Sequence, residues 1–139
     1  MVRVKAKRFP TAEEVAVEMH WGLRLQELAA AGSLVDESEF LSRLHWSARA
    51  LEAALAANRI FALEHEGHRY FPAHFIGAPA YRRRQLEAIT RGLATLSAGG
   101  KWLFFTGPKG SLAGRTPLDA LSEGKFAAVR TAAEGALVR

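Results

Sequence analysis

"SARALEAALAANRIFALEHEGHRYFPAHF", residues 47–75, changes its periodicity partway through. Ser47 is a good N-cap, and Leu51, Ala54 and Leu55 fall on one face of a helix expected over Ala48–Asn58. Arg49, Glu52 and Arg59 fall on its other faces. Beyond Arg59 the helical spacing stops. Ile60 to Leu63 are strand-compatible, Tyr70 and Phe71 match them on the return, and Glu66-Gly67 supplies a two-residue turn, although Asn-Gly or Asp-Gly would be firmer. A helix followed at once by a hairpin puts His65, His68 and Arg69 at the hairpin tip. Three readings open there: a metal site, a catalytic loop, or a β-wing reaching for something acidic.

The residues before this stretch favour the wing. In "VDESEFLSRLHWS", Asp36 caps a short helix, Glu39 completes a capping box, and Phe40, Leu41 and Leu44 form the apolar side. "HWS" breaks the run, so two short helices joined by a tight turn precede the hairpin, the pattern of a winged helix-turn-helix. Further upstream, "TAEEVAVEMHWGLRLQELAAAG" is a longer helix, capped by Thr11 with Glu14 in the box position and closed by Gly32. Val17, Trp21, Leu25 and Leu28 make its apolar stripe. The first ten residues carry Arg3, Lys5, Lys7 and Arg8, a basic tail suited to phosphates.

After the hairpin, "PAYRRRQLEAITRGLATLSAGG" predicts a helix with Pro79 near its start and Gly99-Gly100 at its end, burying Leu86, Ile89, Leu93 and Leu96. Arg82, Arg83 and Arg84 crowd its first turn. Positive charge there opposes the helix dipole, and either a phosphate partner or water and neighbouring acids would relieve it. Trp102, Leu103, Phe104 and Phe105 form the densest aromatic cluster and read as core. Thr116, Pro117 and Asp119 mark a firm helix start. Gly124 separates that short helix from a last one, where Phe126, Val129, Ala133 and Leu137 share a face.

Composition narrows the chemistry. Nineteen Lys and Arg against fourteen Asp and Glu leave a net charge of +5, which favours acidic partners and nucleic acid first. There is no cysteine, so disulfide scaffolds, thiol catalysis and Cys-ligated zinc are out, and a reducing cytoplasmic setting is expected. No apolar stretch is long enough to span a membrane, and no apolar segment follows the basic start as a signal peptide requires. His65, His68 and His74 are a poor metal set, since no ligating carboxylate is placed with them. "GPKGS" at 107–111 lacks the spacing of a phosphate loop and follows a helix, not a buried strand. No catalytic signature is present, so no enzyme, cofactor or metal is expected.

Two segments resemble known families. Residues 47–75 resemble the DNA-binding module of MerR and excisionase proteins, in which a leucine-rich helix runs into a short hairpin containing glycine, arginine, tyrosine and proline. "WLFFTGPKGSLAGRTPLDALSEGKFAAV", 102–129, is similar to the C-terminal domain of Xre/MbcA/ParS-type antitoxins. The matching positions are Trp102, Leu103, Leu112, Gly114, Arg115, Thr116, Pro117, Leu118, Leu121, Gly124 and Val129, and Ala113 stands where a glycine is usual. The resemblance implies a dimeric bacterial DNA-binding regulator. It also implies, as the alternative, an antitoxin or adaptor whose C-terminal helices cover a RES-type protein toxin.

The expectation is therefore a mainly α protein in three segments. Residues 1–35 form the basic tail and first helix, 36–76 the winged helix-turn-helix with a small β-hairpin, and 77–139 a helical interaction module. Arg49, Asn58, Arg59, His65, His68, Arg69, Arg82, Arg83 and Arg84 are the candidate DNA contacts. Trp102, Arg115 and Lys125 are the candidates for a protein partner.

Overall fold

The computed structural model describes residues 11–138. The basic tail with Arg3, Lys5, Lys7 and Arg8 lies outside them. The elements run α1 (Ala12–Ala30), β1 (Leu34–Asp36), α2 (Glu37–Leu44), α3 (Ala48–Ala56), β2 (Leu63–His65), β3 (His68–Pro72), α4 (Ala80–Gly92), α5 (Ala98–Thr106), α6 (Pro117–Ser122) and α7 (Phe126–Leu137). Short 3-10 turns cover Ala73–Phe75 and Gly110–Leu112. The protein is mainly helical with one small antiparallel sheet, as its sequence pattern requires.

The caps explain where the helices begin. The side chains of Thr11, Asp36, Ser47 and Thr116 each accept a hydrogen bond from the backbone amide three residues on, satisfying donors that a helix start leaves open. Ser97 does the same for Gly100. The helix expected to run to Gly99-Gly100 therefore ends at Gly92, and the two glycines sit in the first turn of α5. The serine cap outweighs the glycine pair as punctuation, because glycine near a helix start costs little once its amide is bonded.

The sheet has three strands in the order β1-β3-β2, both pairs antiparallel. The hairpin closes between His65 and His68, with Glu66 at φ 50° and Gly67 at φ 78°. Two successive positive φ values match the type I′ geometry of a two-residue turn. The third strand, β1, is an addition to the expected hairpin: Leu34 pairs with Pro72 and Asp36 with Tyr70. It spans the position at which the first segment was expected to end, so α1 is tied through β1 to the wing.

One hydrophobic cluster runs through every segment. Phe40 of α2 stacks on Phe71 of β3 with ring centroids 4.6 Å apart. Phe61, between α3 and β2, stacks on Phe105 of α5 at 6.2 Å, which joins the head to the C-terminal helices. Leu86 and Ile89 of α4 and Val129 and Ala133 of α7 belong to the same core. Lys101 is also buried, its ammonium donating to the Leu96 carbonyl at 2.9 Å, and burial lowers its pKa. Val17 departs from the expected stripe. Trp21, Leu25 and Leu28 face the body, whereas Val17 is 69% exposed, because the first half of α1 runs past the core it was expected to cover. Among the described residues no helix is long and apolar enough to cross a membrane.

Candidate nucleic-acid interface

Helix α3 and the hairpin after it carry Arg49, His65, His68 and Arg69, four of the candidate contacts. Leu51 and Ala54 face the core, leaving Ala48, Arg49, Glu52, Ala53 and Ala56 exposed. That outer face is almost smooth: three alanines, one arginine and one glutamate. Arg49 makes no ion pair among the described residues, so its guanidinium is open to a ligand.

Glu52 is not open. Arg69 of β3 donates from Nη2 to Glu52 Oε2 at 2.9 Å and from Nε to Glu37 Oε1 at 2.9 Å. One guanidinium therefore bridges the wing, the start of α2 and the middle of α3, while its planar face lies 5.6 Å from the Phe71 ring centroid. The hydrogen bond from Arg69 holds the Glu52 carboxyl below its ordinary range, against a smaller push from desolvation. The bonds to Glu52 and then Glu37 raise the arginine pKa in turn. Expected as a phosphate contact at the hairpin tip, Arg69 instead spends its donors inside the protein. The reason is the placement of Glu37, which the capping of α2 brings beneath β3.

The two wing histidines part company. His65 lies under α1, with its side chain 18% exposed and its ring against Gly22. A Cβ at Gly22 would stand 2.4 Å from His65 Nε2, so the contact of α1 with the hairpin depends on that glycine. His68 is exposed at the tip, its ring centroid 4.5 Å from that of Tyr70. His74 is remote from both, stacked among Phe75, Phe105 and Trp102 in the core. The structure does not bring the three together, and among the described residues no group of three metal-ligating side chains forms.

Asn58 has φ 57° at the end of α3, where the Asn58 and Arg59 amides donate to the Leu55 and Ala54 carbonyls. It is the left-handed residue that closes the helix, a role suited to asparagine when glycine is absent. Arg59 Nη1 and Arg83 Nε each lie 3.8 Å from the carboxylate of Glu87 on α4. Arg83 also lies over Trp46, 6.0 Å from its ring, just before the start of α3. Arg82 lies over Tyr81 at 5.6 Å and its Nε is buried without a hydrogen-bond partner. Arg84 is exposed and unpaired, and Arg91, two helical turns later, continues the same face. Arg91 escaped the sequence reading, which weighed the RRR cluster and not its helical continuation. The first-turn arginines are thus relieved in part by Glu87, one turn further along.

The candidates for a protein partner also separate. Trp102 is buried in the core. Arg115 Nη1 pairs with Glu123 Oε2 at 2.8 Å across α6, and Lys125 is exposed at the start of α7. The Lys109 amide donates to the Arg115 carbonyl and the Gly114 amide donates back to the Lys109 carbonyl, so the glycine-rich segment closes into a compact loop. Beside it, a groove of about 760 Å³ runs between α5 and α7, lined by Leu103, Phe104, Ala132, Gly135, Ala136 and Val138 among others. No protein-family model matches this chain, and no curated protein or solved structure matches it.

Proposed function

We propose that this protein is a cytoplasmic DNA-binding regulator, with no reaction of its own, whose α3 enters the major groove while the β2–β3 hairpin flanks it as a wing. One observation carries this reading. The outer face of α3 has its only carboxylate, Glu52, neutralised by Arg69, which leaves Arg49 and small alanines to meet a phosphate-lined groove. Arg84 and His68 supply further exposed donors, and the pair Arg59 and Arg83 share one acid between two positive charges. The resemblance of residues 47–75 to MerR and excisionase modules supports the same assignment. With one polar side chain besides Glu52 on that face, recognition rests on backbone contacts and groove shape more than on base edges.

The test is a salt titration of affinity for duplex DNA, read by fluorescence anisotropy. The dissociation constant is expected to rise steeply with salt, and the slope of the log–log plot to shrink by roughly 0.9 for each phosphate contact removed by Arg49→Ala or Arg84→Ala. Binding that ignores salt, or slopes unchanged in both variants, removes α3 and α4 from the interface.

A second reading has its own observation. In the groove between α5 and α7, Leu103 is 67% and Val138 78% exposed, an apolar surface of the sort a protein helix covers. Together with the resemblance of 102–129 to Xre/MbcA/ParS-type antitoxins, it supports an antitoxin or adaptor whose partner is a polypeptide such as a RES-type toxin. Capture of one such polypeptide without nucleic acid, abolished by Leu103→Glu, together with no DNA binding at physiological salt, would reverse the order of the two readings.

A further inference from the structure

Arg59 and Arg83 are held by charge yet keep their donors. Arg59 Nη1 lies 3.8 Å from Glu87 Oε1, and Arg83 Nε lies 3.8 Å from Glu87 Oε2. Those separations bring opposite charges together but exceed a hydrogen bond. Among the described residues neither guanidinium donates a hydrogen bond, so the N–H groups of both stay free. Arg69 is the contrast, since it donates to Glu37 and Glu52 at 2.9 Å and is spent inside the protein. Exposure runs in one order: the Glu87 side chain is 12% exposed, those of Arg59 and Arg83 32% and 31%. The acid therefore lies on the inner side of two guanidinia that both reach solvent. Arg83 meets Trp46 just before α3, and its acid meets Arg59 just after α3, so the cluster lies along the flank of that helix.

From this we infer that Arg59, Arg83 and Glu87 form a seat for a single backbone phosphate of duplex DNA, with Glu87 as its positioning residue. The inference rests on the DNA-binding reading and adds to it what an acid contributes inside a basic surface. Two positive charges against one negative leave the cluster attractive to an anion. A phosphodiester offers two unesterified oxygens, and two guanidinia drawn toward one carboxylate present free donors to both. Glu87 tethers the two long side chains before the phosphate arrives, so binding forfeits less of their freedom. The Trp46 ring, 6.0 Å from the Arg83 guanidinium, adds a second restraint. An acid near DNA ordinarily weakens binding. Here the sign is reversed, because the low exposure of Glu87 keeps its carboxylate behind the guanidinia, which meet the phosphate first. Glu52 is the opposite case: it is exposed on the outer face of α3, and its charge opposes DNA unless Arg69 covers it.

The test is a salt titration of affinity for duplex DNA on Glu87→Gln, which keeps the shape of the side chain and deletes its charge. The dissociation constant is expected to rise roughly threefold to tenfold, although the chain has become more positive. Unchanged or tighter binding overturns the seat, since Glu87 would then be only a competing charge. Arg59→Ala combined with Arg83→Ala should shrink the log–log slope by roughly 0.9, the value for one phosphate. No change, or a loss of roughly 1.8 as for two separate contacts, overturns the shared seat. In that double-alanine background Glu87→Gln should weaken binding no further. A loss that persists there would show that Glu87 acts through the fold and not through the two arginines. Thermal melts accompany each variant. Where Glu87→Gln does not fold, Arg59→Lys with Arg83→Lys decides: weaker binding is expected at equal charge, and equal binding overturns the seat. A wild-type chain whose affinity ignores salt overturns the DNA reading and the seat together. A wild type that binds as expected, with tighter binding by Glu87→Gln, removes the seat alone.

Discussion

Arg69 Nη2 lies 2.9 Å from Glu52 Oε2, a bond from the wing to the middle of α3. Its significance is twofold. It fixes the hairpin against the helix it flanks, and it removes a negative charge from the face of α3 that would approach DNA. Arg69→Ala should lower stability by about 1 kcal/mol, since the pair is partly exposed and solvent screens it. It should also weaken DNA binding, because Glu52 would then face phosphate unpaired. Adding Glu52→Ala should recover most of the lost affinity without recovering stability. Arg69→Lys should behave more like the alanine variant than a conservative change, because an ammonium cannot span two carboxylates in the plane of one fork. Anisotropy titrations and denaturant melts on the three variants separate the electrostatic from the structural share.

The contact of Gly22 with His65 yields a coupling whose sign depends on the background. Alanine in a helix interior is ordinarily worth about 1 kcal/mol over glycine. Here a Cβ would stand 2.4 Å from His65 Nε2, so Gly22→Ala should destabilise the protein or forfeit that gain. In a His65→Ala background the obstruction is gone, and the same substitution should stabilise by about 1 kcal/mol. A double-mutant cycle on chemical denaturation measures the difference. Additive effects would show that α1 and the hairpin do not meet at this point.

The hairpin turn carries a residue poorly suited to its backbone. Glu66 sits at φ 50°, a left-handed conformation that costs a side chain with no local hydrogen bond to offer roughly 1 kcal/mol. Glu66→Asn, giving the Asn-Gly pair favoured by type I′ turns, should raise the denaturation midpoint by about 0.5–1 kcal/mol equivalent. The Glu66 carboxylate lies 3.9 Å from His65 Nε2 and takes no part in the Arg69 bonds to Glu37 and Glu52, so the effect should add to that of Arg69→Ala.

These three sites show how far the sequence could be read. A two-residue turn was legible from Glu66-Gly67 between apolar runs, and the helix starts were legible from Thr11, Asp36, Ser47 and Thr116, because caps and turns are local chemistry. Strand β1 was not: three residues, Leu34 to Asp36, ending in a helix cap carry no alternation to recognise. The destination of Arg69 was also hidden. Its acids are 17 and 32 residues away, and nothing in a linear pattern says that Glu37, Glu52 and Arg69 converge. Arginines were counted as a basic surface when several were already partnered. Among the described residues the side chains of Arg49, Arg84 and Arg91 have no ion pair, hydrogen bond or ring contact, and only what the fold places beside the other arginines distinguishes them.

His74 is expected to set the acid limit of the fold. Its Nε2 is buried without a hydrogen-bond partner, its ring lies among Phe75, Phe105 and Trp102, and burial pushes its pKa down to about 3. In the unfolded chain a histidine takes up its proton near pH 6.5. Between those two values the unfolded state binds a proton that the native state refuses, so stability falls as the pH drops from about 6.5 toward 3. From pH 7 to pH 5 the loss from this one group is up to about 2 kcal/mol. The Glu52 carboxyl, whose folded pKa is also depressed, contributes its own loss only at lower pH, as the solution passes below the ordinary carboxylate range. His74→Phe keeps an aromatic ring in the cluster and deletes the titration. It should leave α3 and the wing unchanged, gain about 1 kcal/mol at neutral pH by removing an unpaired polar atom, and flatten the decline between pH 7 and pH 5. Thermal melts of both proteins across that range decide the matter. Parallel declines would mean that another group controls the acid limb.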